Sequence, residues 1–212
     1  MEDLYLTSTM AQKQVVVIHG GDTYRTREEC TAFLESVEIT DLSYFTKKDW
    51  KATLPERLGE DFQVIAPRMP NKDHALYREW EIWFGKLAPL LNDEVVLVGH
   101  SMGGIFLAKY CAMHDFPKKL RGVFLVAAPF DEKDTKDALG DFNLPPSLEK
   151  FAAQTPRITL YQSADDPVVP RVDFDKYKKA LPGAEAKLMS GKGHFTDAEF
   201  PELVADIKAV YE

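Results

Sequence analysis

The chain has 212 residues, 45% of them apolar and 28% charged, with a formal net charge of −8. That composition suits a globular domain with a sizeable core, and its acidity without any basic stripe argues against nucleic acid or an anionic membrane surface as partner. The start, Met1-Glu2-Asp3-Leu4-Tyr5-Leu6, is acidic where a secretory leader is basic, and no apolar run approaches a membrane span.

Residues 1–13 are mixed and polar and read as a loose lead-in. Gln14 to Ile18 reads as a buried strand ending in His19-Gly20-Gly21-Asp22. Glycines just past the carboxyl end of a parallel strand make either a plain tight turn or a loop whose N–H groups reach a ligand; on the second reading Gly21 or its neighbour offers a donor to an oxyanion. Thr26-Arg27-Glu28-Glu29 has the form of a capping box and opens a helix through Cys30, Phe33, Leu34 and Val37. Asp41 to Trp50 is irregular, and Trp50 to Leu58 is a short helix closed by Gly59. Phe62 to Pro67 is a strand stopped by Pro67 and Pro70. His74 to Leu91 is a long helix in which Leu76, Trp80, Trp83, Phe84, Leu87, Leu90 and Leu91 recur at helical spacing, a stripe that reads as core rather than as a cofactor box.

Val95 to Val98 reads as a strand buried on both faces and runs straight into Gly99-His100-Ser101-Met102-Gly103-Gly104, then into the helical Ile105 to Tyr110. A strand that becomes a helix within a few residues turns sharply. Glycines two before and two after the serine remove the Cβ atoms that would collide, and the serine is left exposed at a helix N-terminus whose free N–H groups suit a developing oxyanion.

Gly122 to Pro129 is a further buried strand. Residues 130–156 break the rhythm with the charged run 131–137 and then Phe142, Leu144, Pro145, Pro146, Leu148 and Phe151; they read equally as a small cap over the serine and as a solvated loop with one short helix. Arg157 to Ser163 is a strand followed by Ala164-Asp165-Asp166-Pro167-Val168-Val169-Pro170, and a helix from Val172 to Leu181 ends at Pro182-Gly183. Glu185 to Met189 alternates and reads as the last strand, near the sheet edge, before the turn Gly191-Lys192-Gly193-His194-Phe195 and a closing helix from Leu203 to Tyr211. Strands alternating with helices predict an α/β fold, a three-layer sandwich around a mainly parallel six-stranded sheet, as one domain over residues 1–212. Cys30 and Cys111 lie in predicted helices away from any C-x-x-C pattern and read as buried or half-buried free thiols, which points to the cytoplasm.

Ser101, an acid after the strand ending at Ser163, and His194 after the last strand follow the order of an elbow hydrolase. A serine hydroxyl needs a base, imidazole is the base that works near neutrality, and a carboxylate fixes its tautomer. Of the other histidines, His19 and His100 flank strand ends, while His74 and His114 look like ordinary helix residues. Asp165 and Asp166 compete for the acid role. The run x-hydrophobic-hydrophobic-Pro after Asp166 favours it, leaving Asp165 to hold the loop.

These segments carry a family resemblance. Val15 to Gly21, Gly99 to Gly104, Ser163 to Pro170 and Gly193-His194-Phe195 resemble the α/β-hydrolase superfamily, and within it the small lidless serine hydrolases of the RBBP9/YdeN type, from about residue 14 onward. The resemblance implies Ser101 as nucleophile, Asp166 as orienting acid, His194 as base, and the backbone N–H groups of Gly21 and Met102 as oxyanion hole. It implies a small-molecule acyl substrate, cleavage of a carboxylic ester or related acyl bond, and neither metal nor organic cofactor. Residues 22–60 and 130–156 are long for so compact a family. Thioester or amide cleavage and acyl transfer use the same three residues, and a non-catalytic binding protein could keep the same fold.

Overall fold

The computed structural model describes residues 12–134 and 138–212; residues 1–11 of the lead-in and 135–137 of the charged run lie outside them. Strands β1 (Lys13–Ile18), β2 (Phe62–Ile65), β3 (Val95–His100), β4 (Leu120–Val126), β5 (Ile158–Ser163) and β6 (Glu185–Met189) form one sheet in the order β2-β1-β3-β4-β5-β6. Every pairing is parallel. The chain steps from β1 outward to β2 and then returns to the other side of β1 to lay down β3. The strand order therefore reverses between β1 and β3, and ligands of such sheets bind at the carboxyl ends beside that reversal. His19-Gly20-Gly21 leaves β1 there and Ser101 leaves β3 there, with Ile18 and Gly99 in register.

Period-two alternation sorts the strand side chains between two cores. Val16, Ile18, Leu97, Val123, Leu125 and Leu160 pack under α4 (Tyr77–Leu87), α5 (Met102–Met113), α6 (Glu149–Gln154) and α7 (Arg171–Ala180). Val15, Val17, Val96, Val98, Phe124, Val126 and Tyr161 pack under α3 (Trp50–Leu58) and α8 (Pro201–Ala209). Both cores being apolar explains why the central strands read as continuous hydrophobic runs. β6 pairs on one side and sits half exposed at the edge, as its alternation predicts.

The long helix expected over 74–91 is three pieces: a 3₁₀ turn at Lys72–His74, α4, and a 3₁₀ turn at Ala88–Leu90. The Asp141 carboxylate accepts the N–H groups of Tyr77 (2.7 Å) and Arg78 (3.3 Å) and so starts α4 afresh after an extended Leu76. Pro89 cannot donate the bond that would continue it. Trp80, Phe84 and Leu91 are buried, but Leu76, Trp83 and Leu90 are 45%, 48% and 79% exposed. The stripe thus divides into a core face and a solvent-facing line seven residues apart in sequence.

The helix opened by Thr26 is α1 (Arg27–Ser36), and Thr26 Oγ1 accepts the Glu29 N–H at 3.2 Å as the capping box predicts. It buries only Cys30. The irregular stretch after it contains a single turn of helix, α2 (Ser43–Thr46). In the 130–156 segment Leu139, Phe142, Leu148 and Phe151 sink into the α5 side of the core, while Gly140, Asp141, Asn143, Pro146 and Ser147 between them are exposed, and one short helix, α6, follows. Cys30 and Cys111 are free and buried.

Candidate active site

Ser101 sits between the fully buried β3 and α5 with φ +54° and ψ −122°, a conformation a side-chain-bearing residue adopts only under constraint. The constraint is packing. A Cβ on Gly99 would lie 2.4 Å from the Gly103 carbonyl oxygen, and one on Gly103 would lie 2.3 Å from that of Ile18. The elbow is pressed onto the end of β1, which only glycine permits. Gly104 meets Ala128 in the same way, at 2.6 Å, a need the bare motif does not reveal. The Ser101 hydroxyl does not cap α5, so it is left for other partners.

Asp166 and His194 meet across the ends of β5 and β6. His194 Nδ1 lies 2.9 Å from Oδ2 and 3.1 Å from Oδ1 of Asp166. A carboxylate accepts only, so the proton sits on Nδ1 and Nε2 keeps its lone pair. The Asp166 carboxylate is 1% exposed and also accepts the N–H groups of Val168 (2.8 Å) and Val169 (3.0 Å). Asp165 faces elsewhere. It accepts the Ser163 hydroxyl, which holds its pKa down, and the Gly191 N–H at 2.8 Å, and so braces the turn that carries His194.

That turn holds a strained residue: Phe195 has φ +52°, while Gly193 takes φ +48° without a Cβ to oppose it. Two ring N–H groups pin it. His100 Nε2 donates to the His194 carbonyl at 2.9 Å, and Trp50 Nε1 donates to the Phe195 carbonyl at 2.9 Å. Lys51 Nζ donates to His100 Nδ1 at 3.3 Å and pairs with Asp49, which fixes the His100 tautomer. Burial first, and then the Lys51 ammonium, push the His100 pKa well below its ordinary value, so the ring is neutral. On the opposite side His19 Nδ1 donates to the Gly20 carbonyl at 2.6 Å while Nε2 accepts the Met69 N–H at 3.0 Å. Neither His19 nor His100 is idle at its strand end. Trp50 and Lys51 carried no signal in the sequence for these roles.

Ser101, His194, Gly21 and Met102 line one cavity of about 380 Å³, walled on its apolar side by Phe33, Pro129, Leu139, Val168 and Val169. Met102 N–H is the first of α5, where no carbonyl precedes it to accept a helical bond. The neighbouring Asp22 N–H is already given to the Lys72 carbonyl at 2.8 Å, so it is not the donor of that loop. Among the described residues the one acidic cluster tight enough for a metal, Asp131, Asp134 and Asp173, is filled by the Lys176 ammonium at 2.7, 2.7 and 3.1 Å. No helix among the described residues is long and apolar enough to cross a membrane.

A parallel sheet flanked by helices, with a strained serine between β3 and α5 and an Asp–His pair at the ends of β5 and β6, defines an α/β-hydrolase. The comparisons narrow it. A serine hydrolase family profile matches residues 42–203. The serine hydrolase RBBP9 of Rattus norvegicus is 30% identical over 153 residues, which cover 70% of this chain and 78% of that protein. The chain belongs to the serine hydrolase family. Among solved structures, the ydeN gene product of B. subtilis superposes with a TM-score of 0.76 at 19% identity, covering 94% of this chain and 99% of that one. A thioesterase domain from the curacin biosynthetic pathway superposes at 0.60 and 15% identity, covering 93% and 91%. At such identities these two show the shared fold alone.

Proposed function

We propose that the protein hydrolyses a carboxylic ester of a small molecule through an acyl-enzyme on Ser101. The observation that carries this is the buried Asp166 carboxylate on His194 Nδ1, which leaves Nε2 as a base in the cavity that also holds the Ser101 hydroxyl. His194 Nε2 takes the Ser101 proton as Oγ attacks the acyl carbon. The carbonyl oxygen becomes an oxyanion that accepts the N–H groups of Gly21 and Met102. The intermediate collapses, the C–O bond to the leaving alcohol breaks, and His194 returns its proton to that oxygen. Water then attacks the acyl-enzyme with the same base, releasing the acid and restoring the hydroxyl. Among the described residues no hydrogen bond joins the Ser101 hydroxyl to His194, and contacts of this kind tighten when substrate enters.

Phe33, Leu139, Val168 and Val169 make one side of the cavity apolar and favour an acyl chain over a polar acid. A fluorophosphonate probe tests the nucleophile: wild type labels, whereas Ser101→Ala and His194→Ala do not. p-Nitrophenyl butyrate and a matched thioester then grade the bond, with turnover in Ser101→Ala lower by at least about a hundredfold. Folded wild-type protein that neither labels nor turns over either substrate would favour the non-catalytic binding reading.

A further inference from the structure

A second cavity, of about 750 Å³, adjoins the first and shares Gly20, Lys72 and His100 with it as wall. It begins close to the nucleophile, since a Cβ built on Gly20 would lie 3.6 Å from Ser101 Oγ. It differs from its neighbour in charge, with three cations, Lys51, Arg68 and Lys72, against two carboxylates, Asp49 and Asp73. In a chain of net charge −8 that is a local excess of positive charge.

The cations are not equally committed. Lys51 is held by Asp49 and His100. Lys72 pairs with Asp73, both side chains more than half exposed, a pairing of little worth in water. Arg68 is exposed and, among the described residues, has neither an ion pair nor a hydrogen bond. Both histidines in the wall are held neutral by burial, so the unmatched charge is the guanidinium. A guanidinium fork fits the two oxygens of a carboxylate or phosphate.

We propose that this second cavity receives the leaving group, and that the preferred substrate is an ester with an apolar acyl chain and an anionic, carboxylate- or phosphate-bearing alcohol. This rests on the ester reading of Ser101. The cavity with Phe33, Leu139, Val168 and Val169 on one side takes the acyl chain, which leaves the one that carries the cations for the alcohol. That second cavity is walled by His100, whose ring centroid lies 5.0 Å from that of His194, the group that protonates the departing oxygen. Arg68 binds the distal anion first and Lys72 turns toward it from Asp73.

The test is a pair of aryl esters on the full chain, 4-(butyryloxy)benzoate and its methyl ester, read by release of the phenol with each rate divided by its hydroxide-catalysed rate, so that the remaining difference is one negative charge on the leaving group. The expected kcat/KM ratio, anionic over neutral, is about tenfold or more in wild type, carried by KM, as a charge-assisted contact gives. It falls toward one in Arg68→Gln and in the Arg68→Gln, Lys72→Gln pair, inverts in Arg68→Glu, and shrinks as salt rises. A wild-type ratio at or below one, or a ratio that these substitutions leave unmoved, overturns the anionic leaving group while turnover of the neutral ester still upholds the ester reading. Failure of wild type to turn over either ester overturns both.

Discussion

His100, the residue before Ser101, donates its Nε2 proton to the main-chain carbonyl of His194 at 2.9 Å. The end of β3 therefore positions Ser101 and His194 together. It carries Ser101 covalently and it holds the backbone of His194 through a part-buried hydrogen bond. Trp50 at the start of α3 holds the next carbonyl, that of Phe195, from the other side.

Removing either donor leaves a carbonyl without its partner in a strained turn. His100→Ala and Trp50→Phe are each expected to cost about 1–3 kcal/mol of stability. The loss in turnover is expected in kcat, roughly tenfold, because the base loses its position. His100→Gln, whose amide can still donate, should recover part of kcat. Steady-state kinetics beside urea unfolding separate the two effects. A fall in stability with kcat untouched would show that the bond serves folding alone.

Sequence reading recovers the elements that local chemistry specifies. The elbow, the capping box at Thr26 and the edge position of β6 all follow from patterns within a few residues. What it misses is written between distant segments. Trp50 meets Phe195 across 145 positions, and Asp141 starts α4 from 64 positions away. A hydrophobic period cannot show that a remote carboxylate will restart a helix, nor that Trp83 on the resulting turn will face solvent. The bare G-x-S-x-G pattern likewise explains Gly99 and Gly103 but not Gly104, whose need is set by Ala128 on another strand's end.

The two adjacent acids separate by what they touch. Asp166→Asn keeps the shape but removes the pure acceptor that holds the proton on His194 Nδ1, so kcat should fall by roughly a thousandfold or more. Asp165→Asn loosens the Gly191 turn through a contact of 2.8 Å and should cost less than about tenfold. Comparable losses for both would mean that Asp165 and Asp166 act as one unit on the histidine.

His100 also predicts how stability responds to acid. Its pKa in the folded chain is pushed well below the ordinary value near 6.5 by burial, with the Lys51 ammonium adding to the effect. Between that depressed value and 6.5 the unfolded chain binds more protons than the folded one, so the unfolding free energy rises with pH. The stability is present above about pH 6.5 and is lost as pH falls toward the folded value. His19, lowered chiefly by burial, adds in the same direction. Urea midpoints measured from pH 7.5 down to 5 should fall in wild type and fall less steeply in His100→Gln. Parallel curves would assign the acid sensitivity to other groups.

Three glycines make the last prediction, two at the site and one away from it, because each has different surroundings. A Cβ on Gly103 would stand 2.3 Å from the Ile18 carbonyl oxygen, backbone against backbone, with no flexible side chain to yield. Gly103→Ala must therefore push α5 off β1 and move Ser101 with it, at a cost of about 1–3 kcal/mol or more. On Gly21 the Cβ would meet the Lys72 carbonyl oxygen at 2.7 Å and the Trp80 ring at 3.2 Å. Gly21→Ala should thus displace the loop whose N–H faces the oxyanion, lowering kcat for a folded protein. Gly183 has nothing within 4 Å, so Gly183→Ala should be neutral or raise stability by up to about 1 kcal/mol. At about 2–4 °C of melting temperature per kcal/mol for a chain of this size, calorimetry resolves all three. A Gly103→Ala variant that melts and turns over like wild type would show that the elbow is not pressed onto β1 as the geometry requires.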